Sequence, residues 1–192
     1  MRQLRSQRRR PLSLLPILPQ NDMALWRPNF SWVTGDLAIG GSYLPEEAGS
    51  LADVHGFGAV VDLRSEACDD CETLARLGIT FMHLPTEDLQ AVSRDDLDQG
   101  VVFARRCADG GVKLLIHCEH GIGRSALLAL CVLVDRGMAP IEALRTLKDA
   151  REKVSPSPPQ FQAWAQWLDQ RRHAPVDFEA FCSIAYRSLA RA

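Results

Sequence analysis

A cysteine, two glycines and an arginine lie at the seam between two apolar runs, in the stretch LLIHCEHGIGRSALLALCVL from Leu114 to Leu133. Cys118 follows the first run, and Arg124 opens the second. Gly121 and Gly123 allow the intervening loop to curl, so that successive backbone N–H groups converge into an anion-binding nest. The positive end of the following helix and the planar Arg124 guanidinium both favour a phosphate there. The sequence therefore predicts a cradle for a tetrahedral dianion with a sulfur at its floor.

The same positive field acts on the Cys118 thiol. A free cysteine has a pKa of about 8.5, and a helix N-terminus with nearby cations lowers it to roughly 3.5–7.5. We therefore expect a thiolate at neutral pH, placed for in-line attack on phosphorus with formation of a cysteinyl-phosphate. A lone cysteine is more often a small buried apolar residue, but the joint pattern of strand, His-Cys, loop glycines, Arg-Ser and helix favours a nucleophile.

Short β-like runs and helical stretches alternate from Leu37 onward, which is typical of an α/β domain. The predicted strands cover residues 37–40, 59–63, 79–85 and 112–117. The predicted helices cover residues 71–78, a segment through 97–104, residues 125–136, 139–151 and 161–170, and a short helix within 174–192. We predict a single domain with a largely parallel sheet flanked by helices. Ligands bind beyond the carboxyl ends of such strands, where Cys118 lies.

Composition limits the class of protein. The chain has 192 residues, of which 46% are hydrophobic and 24% charged, and this is ordinary for a globular enzyme or binding module. No window approaches eighteen uninterrupted apolar residues, so we expect no membrane span. Residues 1–22 hold five arginines and one acid, whereas the remainder carries a net charge of about −6, which argues against a nucleic-acid partner. Six scattered cysteines indicate a reducing compartment, and we expect a cytoplasmic protein.

The segment HCEHGIGRS matches the Cys-x5-Arg-Ser/Thr signature, and the chain resembles the small atypical dual-specificity phosphatases of the cysteine-dependent protein tyrosine phosphatase superfamily. The segments GDLAIGGSYLP, AVVDLRSE, FMHLPTEDL and KVSPSPPQFQAW follow in the family's order, between about Trp26 and Arg172. Rhodanese-like sulfurtransferases would have four residues between cysteine and arginine, and low-molecular-weight phosphatases carry their cysteine near the N-terminus. The resemblance implies a phosphate-binding loop formed by Glu119, His120, Gly121, Ile122, Gly123 and Arg124.

Composition and the resemblance together suggest how the chain is divided. We expect a basic, disordered tail at residues 1–22 and a phosphatase-like domain at residues 23–173. A C-terminal helical extension would follow at residues 174–192. The tail carries the positive charge, so weak contact with acidic lipid would occur there.

A leaving alkoxide or phenoxide needs a proton, and the resemblance implies that an aspartate about 30 residues before the cysteine supplies it. Asp88 in LPTEDLQ lies at that position. Glu87 is the adjacent alternative. Asp95, Asp96 and Asp98 are the remaining ones, although Asp95 and Asp96 are better explained as first-turn helix acids.

Three further residues support the loop in this interpretation. The Ser125 hydroxyl can donate to the departing thiolate when water hydrolyses the intermediate, or it can satisfy a backbone N–H at the helix start. The resemblance implies that His117 bonds neighbouring backbone and holds the loop's shape. Gln160 matches a glutamine that orients the hydrolytic water in some relatives, and a surface glutamine at a helix start is the alternative.

Two other pairs have open assignments. The pair Cys68 and Cys71 has three interpretations: ordinary residues at a helix start, a redox partner for Cys118, or half of a zinc site. The acids between the two cysteines favour the first interpretation. Arg64 and Glu66 follow a strand and could reach the rim of the site or form structural ion pairs. Glu66 is also a candidate to orient Arg124.

The sequence thus predicts a phosphomonoesterase without metal or other cofactor, acting on phosphotyrosine or phosphoserine/threonine in proteins or peptides. A phosphoinositide or other small-molecule phosphatase with the same chemistry is one alternative. Lipid-directed relatives often carry lysines in the loop, where this chain has Glu119 and His120. An inactive phosphate-binding module is the other alternative, although such a module would normally lack the cysteine, the arginine or the acid.

Overall fold

The computed structural model describes residues 28–188, so the predicted basic tail lies outside the described residues. Within this part of the chain, five strands form one sheet in the order β1-β2-β5-β3-β4. The strands are β1 (Phe30–Trp32), β2 (Leu37–Gly40), β3 (Phe57–Arg64), β4 (Thr80–Thr86) and β5 (Lys113–His117). β1 pairs antiparallel with β2, and every other pairing is parallel. The predicted α/β fold with a largely parallel sheet is confirmed.

Helices cover both faces of this sheet. The helices are α1 (Ala48–Asp53, after a 3-10 turn at Pro45–Glu47), α2 (Cys71–Arg76), α3 (Arg94–Asp109), α4 (Arg124–Asp135), α5 (Pro140–Ala150), α6 (Pro158–Gln170) and α7 (Phe178–Ala185). Leu115 of β5 packs with α1 and α2 on one face, whereas Leu114 and Ile116 pack with α3 to α7 on the other. The middle of this strand, residues 114–116, is therefore apolar in every position, because both of its faces are covered.

The larger core includes the two C-terminal helices. Trp164 and Trp167 of α6 and Phe181 of α7 are at most 1% exposed. Phe181 lies 4.7 Å from Phe161, measured between ring centroids. α7 thus packs into the same core as the phosphate-loop helix. No helix within residues 28–188 is long and apolar enough to cross a bilayer.

Two elements, β1 and α1 with its 3-10 turn, were missed from the sequence, and the start of α6 was placed wrongly. β1 was not predicted, because three residues of mixed polarity give no periodic signal. α6 begins at Pro158 and not at Phe161, because the Ser157 hydroxyl accepts from the Gln160 backbone N–H and caps the helix. Prolines at the first helical positions lose no intrahelical bond, so Pro158 and Pro159 can start the helix.

Candidate active site

The loop between β5 and α4 turns its carbonyl groups outward. The Glu119 carbonyl accepts from the Ser42 backbone N–H at 3.0 Å. Arg151 donates Nη2 to the His120 carbonyl at 3.1 Å and Nε to the Gly121 carbonyl at 2.8 Å. The Ile122 carbonyl accepts from the Ser155 backbone N–H at 3.0 Å. Because all four carbonyls of residues 119–122 are held from outside, the loop's N–H groups are directed inward, as in an anion nest.

Two glycines of the loop pack closely against their surroundings. Gly121 has a φ of +67°, and a Cβ there would lie 2.4 Å from the Gly40 carbonyl carbon. At Gly123 a Cβ would lie 2.5 Å from Gln160 Oε1. The glycines therefore permit both the curl and its close packing, as their spacing indicated.

Cys118 lies at the floor of this loop and is 3% exposed. The Gly121 backbone N–H donates to its sulfur at 3.3 Å, and the Ser125 hydroxyl lies 3.5 Å from the sulfur. Burial alone would raise the pKa of the Cys118 thiol, but hydrogen bonds from the Ser125 hydroxyl and the backbone N–H groups of Ser125, Gly121 and Ile122 outweigh burial and lower it. The hydrogen-bond donors that stabilise the thiolate are thus the same groups that would bind a phosphate.

Arg124 is buried at the first position of α4 and is held by three groups. Its Nη1 and Nη2 each donate to one Glu66 carboxylate oxygen at 2.8 Å, and Nη1 also donates to the Thr86 carbonyl at 2.8 Å. Nη2 lies 3.2 Å from Asp88 Oδ1. Its Nε is buried without a hydrogen-bond partner among the described residues. This edge of the guanidinium is therefore oriented, charged and unpaired.

The ion pair between Arg124 and Glu66 shifts the pKa of both side chains. The hydrogen bond from Arg124 lowers the pKa of Glu66 to about 2. Burial alone would lower the pKa of Arg124, but the bond to Glu66 and the charge of Cys118 raise it. The geometry agrees with the interpretation of Glu66 as the residue that orients Arg124.

The predicted acid, Asp88, lies beside Arg124 at the start of α4. Asp88 is 58% exposed and lines the same cavity as Cys118. Glu87 is exposed and does not line this cavity. Asp95 and Asp96 lie in the first turn of α3. Asp98, the last of these alternatives, accepts from Trp167 Nε1 on α6. The structure thus brings Asp88 to Cys118 and Arg124 and leaves the other carboxylates elsewhere.

His117 does not bond neighbouring backbone as predicted. Its Nε2 donates to Asp69 Oδ2 at 2.9 Å. The same carboxylate accepts from Tyr43 Oη at 2.5 Å and from Arg64 Nη2 at 2.6 Å. Burial alone would raise the pKa of Asp69, but the bonds from His117 and Tyr43 and the charge of Arg64 lower it. The sequence prediction was wrong because a contact between residues so far apart in sequence leaves no local signal.

Gln160 is a helix-start glutamine but is not on the surface, since it is 1% exposed. Its Oε1 accepts from the Ser157 backbone N–H at 2.8 Å, and its Nε2 donates to the Gln90 carbonyl at 3.0 Å. The Ser157 hydroxyl donates to the Leu89 carbonyl at 2.8 Å. The start of α6 therefore anchors the segment that carries Asp88.

The remaining candidates take structural positions. Arg64 forms ion pairs with Asp62 at 2.9 Å and with Asp69, and it lies 3.6 Å from Glu119 Oε2. Cys71 is the first residue of α2 and follows the residue that caps this helix, which agrees with its interpretation as an ordinary residue at a helix start. Cys68 is exposed, and its pKa is raised by partial burial and by the charges of Asp62 and Asp69, which makes it a poorer nucleophile.

Two groups of potential metal-ligand atoms lie near this ion-pair network, Asp62–Cys68–His83 and Asp62–Asp69–His117. Both include Asp62, which already accepts from Arg64 Nε and Nη2. The positive charge of Arg64 next to these oxygens disfavours a cation.

The cavity above the sulfur measures about 90 Å³. Its walls are Asp88, Leu89, Cys118, His120, Ile122, Gly123, Ser155, Ser157 and Gln160. Four residues that contribute to the site were not identified from the sequence: Arg151, Asp69, Tyr43 and Leu89. Only Arg151 had a signal, its place two residues before the first residue of KVSPSPP.

Comparison with known proteins agrees with this geometry. Human phosphatidylglycerophosphatase and protein-tyrosine phosphatase 1 is 28% identical over 105 residues, which cover 54% of this chain and 52% of that protein. Mouse dual specificity protein phosphatase 8 is 30% identical over 94 residues, which cover 48% of this chain and 14% of that protein. The chain thus spans about half or less of these relatives.

Solved structures share the fold over most of their length. Tk-PTP in its active form superposes with a TM-score of 0.69 at 25% identity, covering 74% of this chain and 98% of that one. PTPMT1 superposes with a TM-score of 0.68 at 20% identity, covering 73% and 94%. Residues 43–170 match the family described as the dual specificity phosphatase, catalytic domain, and the chain belongs to this family.

Proposed function

We propose that the protein is a cysteine-dependent phosphomonoesterase, a tyrosine or dual-specificity protein phosphatase. The observation that carries this proposal is the buried Arg124 guanidinium, whose Nε has no hydrogen-bond partner among the described residues. It lies beside a thiol of lowered pKa and an inward-facing set of amides. A buried cationic donor left unpaired is costly unless an anion completes it.

In the first step, the Cys118 thiolate attacks phosphorus and the ester P–O bond breaks. Arg124 Nε and the loop amides stabilise the charge on the equatorial oxygens. The bound dianion would compete with the Asp88 carboxyl for Arg124 Nη2, which lies 3.2 Å from Asp88 Oδ1. Asp88 then gives its proton to the leaving oxygen.

In the second step, water attacks the cysteinyl-phosphate and the P–S bond breaks. The Ser125 hydroxyl, 3.5 Å from the sulfur, donates to the departing thiolate. Asp88, now ionised, accepts the proton from water. Gln160 is a candidate to orient that water, because one Oε1 lone pair and one Nε2 hydrogen remain beyond its two observed bonds.

We propose a singly phosphorylated protein or peptide as substrate. Such a group needs only the amide nest and Arg124. At the rim, the Glu119 carboxylate faces Arg64, so this cation is already paired. A headgroup with several phosphates would meet little free positive charge there, and an acidic membrane surface would be repelled by the negative balance of residues 23–192.

A phospholipid phosphatase with the same chemistry is the second candidate. The observation that favours it is similarity to a human protein whose name includes phosphatidylglycerophosphatase. A structure of PTPMT1 with PI(5)P also has the same fold as this chain. The basic residues 1–22 would be the part of this chain that contacts acidic lipid.

The test is hydrolysis of matched phosphotyrosyl and phosphoseryl peptides and of anionic phospholipids in vesicles, by the full chain, residues 23–192 and Cys118→Ser. We expect activity in chelator, loss of turnover but not of phosphate-analogue binding in Cys118→Ser, and the highest kcat/KM on phosphotyrosine. A tenth of wild-type activity in Cys118→Ser would refute the covalent mechanism. A requirement for added metal would refute cofactor independence, and higher efficiency on lipid would favour the second candidate.

A further inference from the structure

Leu89, directly after the proposed acid, has a backbone conformation that is unusual for its residue type. Its φ is +62°, and among the described residues only Leu89 and Arg172 combine a side chain with a positive φ. This left-handed region is unfavourable for a branched side chain, and residues held in it cluster at functional sites.

The strain is imposed by a turn that is fixed from two sides. The Gln90 backbone N–H donates to the Glu87 carbonyl at 3.2 Å and closes the turn. Leu89 occupies its third position, where turns with positive φ favour glycine or asparagine. The Leu89 carbonyl accepts from the Ser157 hydroxyl at 2.8 Å, and the Gln90 carbonyl accepts from Gln160. These bonds need only the backbone, so they do not explain why the residue is leucine.

The side chain of Leu89 does not contribute much to the core. The residue is 66% exposed. It lines the same cavity as Cys118, together with Ile122, the other branched apolar residue of its walls. A large apolar side chain in a strained, exposed position at a polar site therefore has an apolar surface available for a substrate.

We propose that Leu89 determines specificity by contacting the aromatic ring of a phosphotyrosyl substrate, a proposal that rests on the phosphatase function proposed above. In the bound substrate, phosphorus lies above Cys118 and the leaving oxygen lies beside Asp88. The substrate side chain attached to that oxygen therefore passes Leu89, the next residue of the turn. A tyrosine ring presents an apolar face there. The single methylene of phosphoserine is too short to present a comparable surface.

The experiment compares Leu89→Gly and Leu89→Asn with wild type on phosphotyrosyl and phosphoseryl peptides of the same sequence. Both replacements tolerate positive φ, so the turn and Asp88 should stay in place. Loss of one leucine contact with a ring should lower kcat/KM for phosphotyrosine about five- to tenfold, mainly through KM. The phosphoseryl peptide should change by no more than about twofold. Val54→Asn is the matched control, because Val54 is 73% exposed and precedes the amino end of β3, whereas the loop follows the carboxyl end of the parallel strand β5.

A binding measurement separates the ring contact from effects on chemistry. In the Cys118→Ser background, Leu89→Gly should weaken binding of the phosphotyrosyl peptide and leave vanadate affinity unchanged. Equal losses on both peptides would mean that Leu89 only positions Asp88, and no loss on either would mean that its side chain touches no substrate. Either result overturns the proposal. Failure of the wild-type protein to hydrolyse either peptide would instead overturn the proposed function, and this proposal with it.

Discussion

Replacement of Glu66 by glutamine tests whether Arg124 is held ready for phosphate before substrate arrives. The two Nη–H···O bonds of 2.8 Å fix the plane of the guanidinium, and its Nε has no hydrogen-bond partner within residues 28–188. A glutamine keeps the size but accepts with only one atom and presents its NH2 group to the other Nη. The guanidinium would then have to be ordered when phosphate binds, and activity should fall.

The magnitude follows from the strength of the pair. The fall in the pKa of Glu66 from 4.5 to about 2 corresponds to about 3 kcal/mol at full value. Solvent screening of a side chain that is 42% exposed reduces this to about 1–2 kcal/mol. If this free energy is needed to orient Arg124 in the transition state, Glu66→Gln lowers kcat/KM about 5- to 30-fold.

The assay is hydrolysis of an aryl phosphate and inhibition by vanadate, with thermal unfolding measured in parallel. The matched control is Asp135→Asn, which breaks the two-bond pair between Asp135 and Arg105 on a surface remote from the loop. The control should leave both kinetic readouts unchanged. Unchanged or increased activity in Glu66→Gln would refute the reasoning, because the free positive charge would then bind phosphate better without its partner.

Two further predictions concern carboxylates. Asp88→Asn should slow phenyl and alkyl phosphates about 10²–10⁴-fold and esters of very acidic phenols much less, as a leaving-group series would show; a uniform loss would transfer the acid role to Glu87 or another group. The lowered pKa of Asp69 means that its stabilising bonds are fully present above its ordinary value of 3.8 and are lost as pH falls through the lower, folded value. Urea unfolding of Asp69→Asn between pH 2 and 6 should therefore show a flatter loss of stability with acid than wild type, and parallel curves would contradict this.

The parts of the site that sequence reasoning found are those whose chemistry is local. The Cys118 loop, its glycines and Arg124 lie within seven consecutive residues between two apolar runs, and the run lengths place them between a strand and a helix. The fold class followed from the alternation of such runs. In each case the signal is periodicity or spacing, which the sequence carries directly.

The parts that were missed depend on contacts between distant segments. Asp69 is an ordinary acid before a helix in sequence, and only the pairing of β3 with β5 brings it to His117. The left-handed turn at Leu89 is imposed by α6, and a leucine does not signal positive φ. Burial of Gln160 likewise follows from the packing of α6 against Gly123. Tertiary packing and not local preference determines these positions.

Arg151 is the missed residue with the largest expected effect, because it holds two loop carbonyls outward at once. Arg151→Met would leave the His120 and Gly121 carbonyls without this donor, and the loss of the buried bond to Gly121 costs about 1–3 kcal/mol. The loop amides would no longer be fixed inward, and loss of one preorganised donor costs about 10²–10³-fold in kcat. We expect about a 10²-fold loss on every substrate, with a parallel loss of vanadate affinity.

Lys148→Met is the control for Arg151→Met, since Lys148 is also a buried cation on α5 that donates to two carbonyls, those of Val154 and Ala185, but to none in the loop. Both variants should unfold at lower temperature, because each leaves at least one buried carbonyl without a donor. Only Arg151→Met should weaken vanadate binding. If the two variants lost stability alike and both kept wild-type affinity for vanadate, Arg151 would stabilise the fold without shaping the anion site, and the inward direction of the amides would need another cause.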